Sequence, residues 1–151
     1  MNAPVPSHVL QAPAALDHVS HTWDSSILAQ LQEYIAMPAK SPAFDPQWAA
    51  NGWLEKVLEH AASWIEAQKI PGLSLEMVRL PGRTPVLWFE VQATRAASHE
   101  TILLYGHMDK QPEFDGWRAD LGPWTPKRVG DKLYGRGSAD DGYAVYASIA
   151  A

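Results

Sequence analysis

Three features of this sequence predict an α/β fold, a mixed β-sheet flanked by helices. Two stretches near the start carry apolar residues at helical spacing. Short β-prone runs follow, separated by Pro-Gly and Gly-Asp turn signals. A helix of small and apolar residues closes the chain. Helices laid on a sheet are a stable way to bury such faces.

The elements follow in order. Residues 1–22, rich in Pro and Ala, read as a flexible tail with one helical turn at Ala14–His18. Asp24 is placed to cap a helix whose Ile27, Leu28, Leu31, Tyr34 and Ile35 share a face, and Pro38 closes it. "AKSPAFDP" is a loop, and its Asp45-Pro46 pair starts the next helix. That helix runs to about Gln68 through Gly52, with Trp48, Trp53, Val57, Ala61, Trp64 and Ile65 as its apolar stripe. "LSLEMVRL" and "PVLWFEVQA" flank the turn "PGRT" and read as a hairpin. Thr101–Tyr105 is a continuous apolar run, which suits a central strand buried on both faces. A second hairpin turns at Gly130-Asp131, and a helix begins at Tyr143.

Composition excludes several function classes. The 151 residues carry a formal net charge of −5, so no basic stripe exists to neutralise phosphates and no nucleic-acid partner is expected. No run approaches the roughly 20 apolar residues of a membrane span. The N-terminus lacks a basic start and a long apolar core, so a cytoplasmic location is expected. With no cysteine, disulfides and thiolate zinc sites are excluded. Any metal must be held by His, Asp and Glu.

Two stretches are placed to carry chemistry. In "GHMD", His107 follows an apolar run, and α/β proteins put their sites at strand ends. Asp109 lies two residues on, on the same side of an extended backbone. It is placed to accept the second ring N–H of a metal-bound histidine, which fixes the tautomer. A strand-end histidine bonded to backbone is the plainer alternative. In "GRGSADDGYA", Asp140 or Asp141 caps the helix that follows, or a cation explains why two carboxylates adjoin. One aspartate can bridge two metal ions about 3.5–4 Å apart. "GRGSAD" has neither the dinucleotide spacing nor a P-loop, so no cofactor-binding fingerprint is present, and Ser138 lacks the context of a nucleophile elbow. His8, His18, His21, His60 and His99 read as ordinary surface histidines. An interaction module with exposed tryptophans is a reading from another class, but the tryptophan spacing fits a helical core.

Taken together, "LLYGHMDKQP", "DGW", "GDKLYGRGSADDG" and the upstream "SPAF" resemble the zinc-dependent dipeptidase, aminoacylase and carboxypeptidase family, which includes carnosinases and glutamate carboxypeptidases. The wording is most similar to the carnosinase-like dipeptidases, and the resemblance runs from about Asp24 to Ala151. It implies two divalent ions, zinc foremost, although an oxygen-rich site also accepts Co2+ or Mn2+. It implies His107 as a ligand of one ion, Asp140 as the bridging ligand, Asp109 as the catalytic-site aspartate that orients His107, and a cis peptide at Asp140-Asp141. The substrate implied is a dipeptide or an N-acyl amino acid, and the full-length enzyme is expected to be a homodimer.

Two departures matter. Many members read Asp-Asp-Lys-Gly where this chain has Gly142 and Tyr143 after Asp141. Members also run to several hundred residues. Their paired glutamates, a further acidic ligand, a last histidine and a lid domain come after the point matching Ala151. Residues 23–151 therefore read as a partial catalytic domain, truncated at its C-terminus. One histidine and one bridging carboxylate are too few for a closed zinc site. The alternative function is thus a catalytically incomplete fragment with no activity of its own.

Overall fold

The computed structural model describes residues 11–93 and 100–151. Helix α1, Ala12–Thr22, begins with Pro13 in its first turn, where a missing N–H does no harm. It buries nothing and continues through a π-helical turn, Trp23–Ile27, into α2, Leu28–Ala36. The expected tail is thus helical from Ala12, and its residues 1–10 lie outside the described part. Asp24 caps nothing, because the helix has already formed before it. Within the wide turn, Leu28 N–H donates to Trp23 O, and Trp64 Nε1 donates to Ser26 Oγ at 2.8 Å. As predicted, α2 stops before Pro38.

Asp45 starts the next helical turn: its Oδ1 accepts Gln47 N–H at 3.1 Å, and its Oδ2 accepts Asn51 Nδ2 at 2.8 Å. Here the structure departs from one long helix. Gly52 sits at φ +69°, a left-handed geometry that ends α3 (Trp48–Asn51), and α4 (Trp53–Ala67) begins anew. Leu54, Val57, Ala61, Trp64 and Ile65 of α4 are buried, while Trp48 and Trp53 pack at the margin.

The sheet component consists of two antiparallel hairpins. β1 (Leu73–Val78) pairs with β2 (Val86–Val91) in the register Leu73↔Val91 to Val78↔Val86. Leu73, Leu75, Leu87 and Phe89 turn one face toward α4, as the period of two requires. β3 (Lys127–Val129) and β4 (Lys132–Tyr134) close over Gly130-Asp131, as expected. Helix α5 spans Tyr143–Ala150.

The third strand expected at Thr101–Tyr105 does not form. Ile102, Leu103, Leu104 and Tyr105 are 85%, 78%, 56% and 85% exposed. A strand exists only through ladder partners, and among the described residues none pairs with this run.

The core lies where α2, α4 and α5 meet, with Ile27, Leu31, Tyr34, Ile35, Val57, Ala61, Ile65 and Tyr146 almost wholly buried. Trp64 and Tyr146 meet edge to face, with ring centroids 5.1 Å apart. His60 is half-buried rather than a surface residue, because it bridges α4 to α2 at Gln30 O, 3.4 Å away. His8 and His99 lie outside the described residues. Leu31→Ala is expected to destabilise the fold by about 2–4 kcal/mol. Leu80→Ala, at an exposed site, should change it by less than about 0.5 kcal/mol. Urea midpoints of the two variants check this contrast.

Candidate metal centre

The two motifs of the sequence meet in space. His107 N–H donates to Asp141 Oδ2 at 3.3 Å. His107 Nδ1 lies 3.1 Å from Asp109 Oδ1 and 3.2 Å from Asp109 O. His107 Nε2 lies 3.4 Å from Asp140 Oδ1. The Asp140-Asp141 peptide is cis, in line with the resemblance. The two carboxylates point different ways, Asp140 to the imidazole edge and Asp141 to the backbone of His107. Asp141 makes no side-chain cap on α5, so the helix-cap alternative fails for it.

The proton arrangement follows from these contacts. Both acceptors of Asp109 stand beside Nδ1 and call for a proton there, while Nε2 faces Asp140 Oδ1. A lone pair and a carboxylate facing each other repel unless a proton or a cation lies between them. Metal–nitrogen and metal–oxygen bonds of about 2.0–2.2 Å at a tetrahedral angle separate the ligand atoms by about 3.4 Å. The donor set and its spacing therefore fit a divalent ion. Among the described residues no three His, Asp or Glu side chains converge on one ion position. His107 Nε2 and Asp140 Oδ1 present two donor atoms, with Asp109 behind the first.

The glycines of "GRGSADDG" work by close approach. A Cβ on Gly135 would stand 2.2 Å from Ile35 Cγ2, and one on Gly142 would stand 2.0 Å from Tyr34 Cε1. One on Gly137 would stand 2.9 Å from Lys110 Cγ and Cε. The loop carrying Asp140 is thus laid directly on the last turn of α2. Gly142 N–H closes it by donating to Gly137 O at 2.9 Å.

Three residues that the sequence did not single out hold this geometry. Tyr34, fully buried, donates its hydroxyl to Met108 O at 3.1 Å. Burial foremost, then the carboxylates of Asp109, Asp140 and Asp141, push its phenol well above the usual range, so it stays a donor. Arg136 donates from Nε to Pro112 O at 2.9 Å and lies 4.2 Å from the Phe114 ring centroid, tying "QPEF" to the glycine loop. Lys110 is 1% exposed and donates from Nζ to Tyr34 O, Ile35 O and Met37 O at 2.5, 3.3 and 2.7 Å. Burial pulls its ammonium down to about 7, against the three carbonyls, which favour the charged form. None of these roles has a spacing signal, because each joins elements far apart in the chain.

The fold is that of a known dipeptidase's catalytic region. The chain superposes on human carnosine dipeptidase 1 with a TM-score of 0.63 and 24% identity, over 91% of this chain and 29% of that one. Residues 103–151 match the model of "Peptidase family M20/M25/M40". That segment holds His107, Asp109 and Asp140, so the likeness to this family of hydrolases lies in the part of the chain that carries the site. Members of the family generally bind divalent metals. Over 51 residues the chain is 47% identical to the mouse (Mus musculus) Beta-Ala-His dipeptidase and 45% to the rat (Rattus norvegicus) one. Each alignment covers 32% of this chain and 10% of the relative, so the chain spans a small part of the proteins it matches. Among the described residues no helix is long and apolar enough to cross a membrane.

Proposed function

We propose that this chain carries the opening part of the metal site of a dipeptidase that cleaves amide bonds of dipeptides or N-acyl amino acids. The observation that carries the reading is the 3.4 Å gap between His107 Nε2 and Asp140 Oδ1, the separation of two ligand atoms on one tetrahedral ion. His107 and Asp140 would hold a divalent ion, zinc in the first instance, and Asp140's second oxygen is free to reach another. When bound, such an ion supplies Lewis acidity and a water whose pKa falls to about 7. The chain's own residues then have defined tasks. Asp109 keeps the proton on His107 Nδ1, so that Nε2 stays a ligand. Asp141 holds the His107 backbone. Tyr34, through Met108 O, fixes the segment between His107 and Asp109.

The relatives' names make β-alanyl-histidine the first substrate to try on the full-length enzyme, and N-acetyl amino acids the second. Hydrolysis is expected to vanish after exhaustive chelation and to return on adding zinc. Full activity in the chelated protein would refute the reading. The 151-residue chain alone is expected to cleave neither substrate, since two ligand positions do not close a zinc site, which wants three or four. Turnover by that chain would refute this second part.

A further inference from the structure

Lys110 occupies an unusual place. Its backbone N–H donates to Ala39 O and its carbonyl accepts Ser41 N–H, both at 2.9 Å. This makes a parallel bridge between the site segment and the chain leaving α2. Its side chain runs beneath Gly137, whose missing Cβ leaves room for it, and ends among three carbonyls at the C-terminus of α2. Nζ also lies 3.8 Å from the Tyr34 ring centroid and 5.3 Å from that of Trp124. A cation at a helix C-terminus complements the helix dipole, and here it adds a charged donor to Tyr34 O and Met37 O, which also accept Met37 N–H and Ala39 N–H. Here the cation is also a spacer. One side chain touches the helix, the segment bearing His107 and Asp109, and the loop bearing Asp140.

We propose that Lys110 is a positioning residue, whose ammonium locks the segment of His107 and Asp109 in register with the loop of Asp140. The proposal rests on the metal-site reading above, but its first readout needs no metal. Upstream of His107 the segment is held at Gly106, which lies close against Ala144 and Asp141, while Ile102–Tyr105 has no ladder partner among the described residues. Lys110 holds the downstream side.

The test replaces Lys110 by Met, which keeps the stem and removes the charge and its three donors. The imidazole nitrogens are read by long-range proton–nitrogen NMR, with the His107 signal assigned by its loss in His107→Gln. The unsubstituted chain should show the proton fixed on Nδ1. The folded Lys110→Met chain should show averaged tautomers, and the full-length enzyme with the same substitution should bind zinc at least about tenfold more weakly, measured against a competing chelator. An unchanged His107 signal in the folded variant overturns the proposal. If Lys110→Met unfolds in buffer, it is measured in trimethylamine oxide, which strengthens burial. Failure to fold even there also overturns it, for Lys110 would then serve the whole fold and not the register.

Rescue adds a second check. The chain has no cysteine, so Lys110→Cys can be alkylated at one place. An aminoethyl group should restore the fixed tautomer, and an uncharged propyl group of the same shape should not. Equal effects of the two would count against the ammonium. The two readings fail separately. If the full-length enzyme keeps full activity after chelation but the tautomer depends on Lys110, the metal reading falls and the positioning role stands. If zinc binding ignores Lys110→Met, the reverse holds.

Discussion

Gly142→Ala is expected to destabilise the chain by about 3 kcal/mol or more, at the upper end of what overpacking does. Two effects oppose each other at this position. Gly142 has φ −55° and ψ −24°, a helical conformation at the head of α5, so on backbone grounds alanine should stabilise it by up to about 1 kcal/mol. Against this, the new methyl would lie 2.0 Å from Tyr34 Cε1 and 2.7 Å from Cδ1 and Cζ. Tyr34 has nowhere to go, since its ring is fully buried and its hydroxyl is held by Met108 O. The clash wins, and the sign of the change decides between the two accounts. Urea unfolding should show a lower midpoint for Gly142→Ala. In the background of Tyr34→Leu, which shortens the opposing side chain, the same substitution should do much less harm. A raised midpoint for the single variant would mean that the loop lifts off α2 freely.

Asp140→Ala should do the opposite: little to stability and a great deal to catalysis. Its carboxylate is 66% exposed, and its Oδ1 lies 3.4 Å from His107 Nε2. Removing it buries no unpaired group, so thermal unfolding should barely move. In the full-length enzyme the loss of a metal-holding carboxylate should lower kcat/KM for a dipeptide by about a thousandfold or more, corresponding to several kcal/mol of lost charge stabilisation. Metal content measured on the same sample should fall with it. A folded Asp140→Ala enzyme with its metal content and rate intact would remove Asp140 from the site.

These two positions, two residues apart, show what a sequence discloses. Asp140 is legible because its chemistry is rare. Two adjacent carboxylates need a reason, and the structure does bring Asp140 beside His107 and Asp109. The helices and hairpins are legible too, since the periods of 3.6 and 2 are local. Gly142 is not legible in the same way. Nothing near it in the chain says that Tyr34 will fill the space above it. Lys110 is harder still, because a lysine between motif residues reads as solvent-facing until the carbonyls of Tyr34 and Met37 come to meet it. The misplaced elements have the same origin. Thr101–Tyr105 has the composition of a buried strand, but a strand is a property of its neighbours. Gly52 looked tolerable inside a helix, yet it adopts the left-handed geometry that ends α3.

The bare run Ile102–Tyr105 also governs how the molecule behaves among its own copies. Consecutive apolar side chains on an unpaired backbone form a template on which another strand can add. What keeps copies apart at a distance is the shared negative charge, formally −5 per chain. That repulsion reaches only about 10 Å in 0.1 M salt and about 3 Å in 1 M. Colloidal stability of this chain is therefore expected to fall as salt rises, and the exposed run ends at Tyr105, directly before Gly106 and His107.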